Sequence, residues 1–180
     1  MSTTDTLRIL ISDNAVIPIV QCLGRNACVL KESEFNYKFT LRDIPADSFI
    51  IRFDKFPDTS DVFFKSKNME CRKADYALVS ESEKVIMFFE LKRSSRSYSS
   101  SKNPIAQLKG ACCIMDYCEI IADSFLGVSK MFDEFTRRYY IIHCKSSSKR
   151  AFSVEDRVDN RVPENAMKYG GAFATFKWLI

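Results

Sequence analysis

The chain holds a single histidine and, among seven cysteines at positions 22, 28, 71, 112, 113, 118 and 144, no Cys-x-x-Cys pair. That scarcity excludes a zinc site with the usual ligand spacing. An odd, scattered set of thiols predicts reduced cysteines used as small buried hydrophobes in a reducing compartment. No stretch approaches 18 consecutive apolar residues, so no membrane span is expected. The opening "MSTTDTLRILISD" has no basic segment ahead of a long apolar one, so no secretory signal is visible and a cytoplasmic or nucleoplasmic location is the expectation. Neither G-x-x-x-x-G-K-[ST] nor G-x-G-x-x-G occurs, which argues against a nucleotide-driven motor. There is no internal repeat, and the low-complexity content is confined to the Ser-rich "RSSRSYSSSKNP".

What is present is enough for one core. The 180 residues are 46% hydrophobic and 13% aromatic, and predict a single domain over 1–180. A net charge of +4 permits a polyanionic partner without demanding one. "DNAVIPIVQCLG" reads as a short helix capped by Asp13. "EFNYKFTLR" alternates with period two and predicts a strand with one wet face, and "SFIIRFDKF" predicts a second. "ADYALVS" and "KVIMFFELK" predict a third and fourth strand about the turn "ESEK". Asn103 and Pro104 open a helix that runs to Gly127, with apolar positions 105, 108, 111, 112, 115 and 118 on one stripe. "RRYYIIHCK" is β-prone, "SVEDRVDNRVPENAMKYGG" reads as irregular, and "AFATFKWLI" as a closing strand. The order predicts an α/β (α+β) domain with a mixed sheet.

The third and fourth strands carry charge where a buried strand should have none. Side chains alternate along a strand, so Ile86, Phe88, Glu90 and Lys92 share one face and Met87, Phe89 and Leu91 the other. A turn centred between Ser82 and Glu83 pairs residues whose numbers add to 165, which sets Asp75 opposite Glu90. Opposed Cβ atoms lie about 4.5 to 5.5 Å apart, and like charges there repel. Lys92 offers some compensation and a divalent cation more, since Mg²⁺ favours one or two carboxylates together with water and phosphate oxygens. A neighbouring lysine can then orient water or stabilise charge on a phosphate. The bland alternative is a surface salt bridge at the sheet edge, worth little.

Asp75, followed after fourteen residues by Glu90-Leu91-Lys92, resembles the motif of the PD-(D/E)XK nuclease superfamily, which includes many restriction endonucleases and recombination nucleases. "FFELKRS…NPIAQLKGA" is also similar to members in which a helix with Gln-Leu follows the motif strand. The likeness covers about residues 48 to 145. It implies a restriction-endonuclease-like mixed central β-sheet flanked by helices, and a Mg²⁺- or Mn²⁺-dependent nuclease acting on DNA. It also implies roles. Asp75 and Glu90 would be metal ligands, joined by the backbone carbonyl of Leu91; Lys92 would position the attacking water, and Gln107 would be an accessory catalytic residue. Glu32 and Glu34 are candidates for a further upstream acid. The family's proline before the Asp is Ala74 here. RNA cleavage, a non-catalytic nucleic-acid-binding or assembly subunit, and a homodimer all stay open.

Arg93, Arg96, Tyr98 and Lys102, in the loop after the motif strand, suit a clasp on a phosphate backbone with Tyr98 stacking on a base. "KSSSKR" at 145–150 reads as a solvated basic turn, and His143 as a core histidine. Phe173, Phe176 and Trp178 are expected in the core.

Overall fold

The computed structural model describes residues 1–32, 37–57, 64, 69–70, 72–92, 103–143 and 159–180. Its first element, α1 (Thr3–Leu10), starts at Ser2, whose Oγ accepts the Asp5 N–H at 3.1 Å. The helix expected at Asp13 is corrected: Asp13–Ala15 forms one 3-10 turn and the chain then extends. Pro18 lacks an amide donor and the surrounding Val and Ile residues favour extended backbone.

Three strands follow, β1 (Val20–Cys22), β2 (Arg25–Glu32) and β3 (Tyr37–Arg42). Next come β4 (Ser48–Arg52), β5 (Tyr76–Ser80) and β6 (Val85–Lys92). The long helix α2 (Pro104–Leu126) leads to β7 (Thr136–His143), β8 (Met167–Gly170) and β9 (Phe173–Thr175). Asn103 Oδ1 caps α2 by accepting the Ile105 N–H at 3.0 Å, and Gly127 ends it at φ +67°, a conformation glycine adopts without strain. β8 corrects the irregular reading of its segment. The expected closing strand is shorter than anticipated, since Phe176–Trp178 turn as a 3-10 helix.

A mixed five-stranded sheet has the order β4-β5-β6-β7-β8, antiparallel to β6 and parallel beyond it. A second sheet has the order β1-β2-β3-β9. In the β5–β6 hairpin Tyr76 faces Phe89 and Ser80 faces Val85, pairs that add to 165 as the turn requires. One face of the larger sheet presents Ala77, Val79, Ile86 and Phe88 to Leu7 of α1 and to Leu108, Ala111 and Met115 of α2. The other presents Leu78, Met87, Phe89 and Leu91 to Leu30, Phe39 and Leu41 of the smaller sheet. The expected mixed sheet is present, and among the described residues helices cover one face and a second sheet covers the other.

β6 is buried on both sides, and each fully buried Phe, Ile, Leu or Met contributes about 1.5–3 kcal/mol. Across the parallel β6–β7 ladder Phe88 stacks on Tyr139 and Phe89 on Tyr140, with ring centroids 5.0 and 5.3 Å apart. His143 occupies a core position. Phe176 is buried as expected, but Phe173 and Trp178 are 43% and 47% exposed and do not serve the core.

Candidate active site

The C-terminal end of β6 brings charge into this apolar setting. Glu90 is only 1% exposed, and its side chain turns to the helical face of the sheet together with Ile86 and Phe88. Lys92, two residues on, forms an ion pair with Glu90 Oε1 and donates to Gln107 Oε1 at 2.7 Å. Gln107 lies in the first turn and a half of α2, so the Asn103 cap and Pro104 fix the place from which it reaches Lys92. Its Nε2 donates to the Lys73 carbonyl at 3.4 Å, which ties the helix to the chain entering β5. The pair is buried, so the reading of a surface salt bridge does not apply.

Asp75 stands one residue ahead of β5. Its N–H donates to the Phe89 carbonyl and its carbonyl accepts the Phe53 N–H, so the backbone is held from both neighbouring strands. Its Oδ2 accepts the Leu91 N–H at 2.6 Å. Leu91 thus engages Asp75 through its amide, while the metal-ligand role suggested for its carbonyl stays a proposal.

Electrostatics link these groups. Burial pushes Asp75 up to about 7, against the stabilising Leu91 N–H; the charge of Glu32 raises it, Lys92 lowers it, and Asp54 raises it again. Burial also holds Glu90 well above the ordinary carboxylate range, and the charge of Asp75 adds to this while Lys92 opposes it. Both carboxyls therefore resist ionisation unless positive charge arrives.

Glu32 is coupled to the same cluster by its charge, which raises both Asp75 and Glu90. Cys28 and Leu30 of β2 face the larger sheet, and Glu32 continues that parity at the strand's end. The Tyr76 hydroxyl holds β2 there, accepting the Lys31 N–H at 3.0 Å and donating to the Lys31 carbonyl at 2.6 Å. Of the two upstream acids suggested by sequence, Glu32 acts by its charge on Asp75 and Glu90; Glu34 lies outside the described residues. So do Arg93, Arg96, Tyr98, Lys102 and residues 145–150.

Two contributors escaped sequence reasoning. Asp54 acts on Asp75 because β4 pairs with β5 and ends beside it, a consequence of strand order that only pairing reveals. Gly110 allows close approach: a Cβ there would sit 1.6 Å from the Arg72 carbonyl oxygen. The segment that delivers Asp75 therefore lies directly on α2, one turn beyond Gln107.

The donor set suits a hard divalent cation. Among the described residues no three His, Cys, Asp or Glu side chains form a ready-made metal cage, but Mg²⁺ commonly takes only one or two carboxylates. Glu90 Oε2 is buried with no hydrogen-bond partner among the described residues, an arrangement that is costly unless something charged meets it. The chain matches no protein-family model, no curated protein and no solved structure.

Proposed function

We propose that the chain is a metal-dependent nuclease that hydrolyses phosphodiester bonds of DNA, with a restriction-endonuclease-like arrangement of its motif hairpin and helix. The observation that carries this reading is the buried Glu90: one oxygen paired with Lys92, the other without a hydrogen-bond partner among the described residues, and Asp75 close enough to raise its affinity for protons. A cluster built only for stability would place a neutral or apolar residue there, because isolated buried carboxylates are strongly unfavourable.

Asp75 and Glu90 would hold Mg²⁺ or Mn²⁺, with the Leu91 carbonyl as a further oxygen donor. Such an ion, when bound, supplies Lewis acidity at the scissile phosphate and eases deprotonation of water. The Leu91 N–H keeps Asp75 turned toward the site. Lys92 is held in place by Glu90 and Gln107, and there it orients the attacking water and offsets charge gathering on the phosphate. Gln107 acts through Lys92, as a positioning residue.

The test is a panel of plasmid, linear, branched and single-stranded DNA, and RNA, each with Mg²⁺, Mn²⁺ or EDTA. Cleavage by the wild type should require the metal. Asp75→Ala, Glu90→Ala and Lys92→Ala should each lower it at least about 100-fold while circular dichroism stays native. Mg²⁺ should also raise the melting temperature of the wild type but not of Glu90→Ala. A wild type inert on every substrate and unmoved by metal would refute the proposal.

A further inference from the structure

The outer face of the smaller sheet carries an arrangement that its own stability does not call for. Cross-strand partners share a face, so Ala27 with Arg42, Val29 with Thr40 and Lys31 with Lys38 form three rows on the side away from the core. β9 extends two of them, setting Phe173 beside Thr40 and Thr175 beside Arg42. Lys31 and Lys38 are exposed and stand directly opposite each other, a placement of like charges that disfavours the sheet. No carboxylate among the described residues pairs with Lys31, Lys38 or Arg42. Asp43, which follows Arg42, is engaged by Arg25 instead.

The face also offers an aromatic surface. The Arg42 guanidinium lies 4.5 Å from the centre of the Phe173 ring, which is 43% exposed. Cations without a carboxylate partner among the described residues, beside an accessible ring, match the two things a nucleic acid strand presents, phosphates and flat bases. The lysine row stands at the same end of β2 and β3 as Glu32, on the opposite side of the sheet.

We propose that this outer sheet face is a nucleic-acid track outside the carboxylate site, with Lys31, Lys38 and Arg42 meeting phosphates and Phe173 stacking against a base. The choice of nucleic acid rests on the nuclease reading above; the surface itself is a separate set of residues.

Binding of a fluorescein-labelled 30-nucleotide DNA, single-stranded and duplex, should be followed by anisotropy in EDTA over a series of salt concentrations. The Lys31→Ala/Lys38→Ala double variant should bind at least about ten-fold more weakly at low salt. Its log–log salt slope should shrink by roughly 1.4 to 1.8, the share of two phosphate contacts. Phe173→Ala should weaken single-strand binding about five-fold or more and change the slope little. The double variant should melt no lower than the wild type, because removing opposed charges relieves the sheet, and so weaker binding cannot be put down to misfolding. Unchanged affinity and slope in both variants, or no DNA binding by the wild type, would overturn the track. Cleavage with intact binding in the variants sinks the track alone; variant-sensitive binding by a protein that never cleaves supports the track and sinks the nuclease reading.

Discussion

The β5–β6 hairpin has a lysine–glutamate pair at each end, and the two behave in opposite ways. At the turn, Lys84 Nζ lies 2.8 Å from Glu81, with side chains 41% and 22% exposed. Burial there pushes Glu81 up, but hydrogen bonds from Lys84 and the Thr4 N–H outweigh it and leave the carboxyl below its ordinary range. At the open end, Lys92 contacts Glu90 as well, yet the Glu90 side chain is 2% exposed and its carboxyl stands well above the ordinary range. The residue types are the same. Desolvation, with a second carboxylate added, reverses the outcome. A lysine and backbone amides satisfy a glutamate near water; at depth, beside Asp75, a lysine does not.

Three perturbations would sharpen or break that contrast. Lys92→Met should cost about 3–5 kcal/mol of stability in urea titrations at pH 8, because it strands a buried acid, whereas Lys84→Met should cost no more than about 1 kcal/mol. Equal effects would erase the distinction. Gly110→Ala should cost about 1–3 kcal/mol by driving the Arg72 backbone off α2, and it should also blunt the Mg²⁺-induced rise in melting temperature.

The smallest effect is the pH profile. Asp75, at about 7, and Glu90 bind protons more tightly when folded than unfolded. Their contribution is fully present below about pH 4 and is lost as pH rises, through about 7 for Asp75. Glu81 has the opposite sign: its contribution is present above about pH 4.3 and is lost on acidification. Melting temperatures measured in EDTA should therefore fall between pH 5 and 8. The Asp75→Asn/Glu90→Gln double variant should flatten that decline, and Glu81→Gln should leave it intact.

The hairpin register was legible because the turn residues "ESEK" allow few pairings and one face of each strand is plainly apolar. From it followed the expected opposition of Asp75 and Glu90, one pair beyond the Tyr76–Phe89 end of the ladder, and the helix cap at Asn103 placed Gln107. α1 was missed because "TTDTLRIL" opens on three threonines in four residues, which have weak helix propensity, so packing of Leu7 decides its form. β2 was missed because Lys31 and Cys28 blur its alternation, and parity could not separate Glu32 from Glu34, since both stand an even number of residues from Cys28 and Leu30. Gly110 could not be found from sequence at all, since a glycine inside a helix says nothing of which backbone leans on it.

The doubly bonded Tyr76 hydroxyl has one more effect. A single phenol grips the two peptide units on either side of Lys31, so the rim that holds Glu32 is tied to the strand that follows Asp75. Whatever enters this end of the molecule meets a jaw already closed to a fixed gauge, and its width is measured by the length of one aromatic side chain.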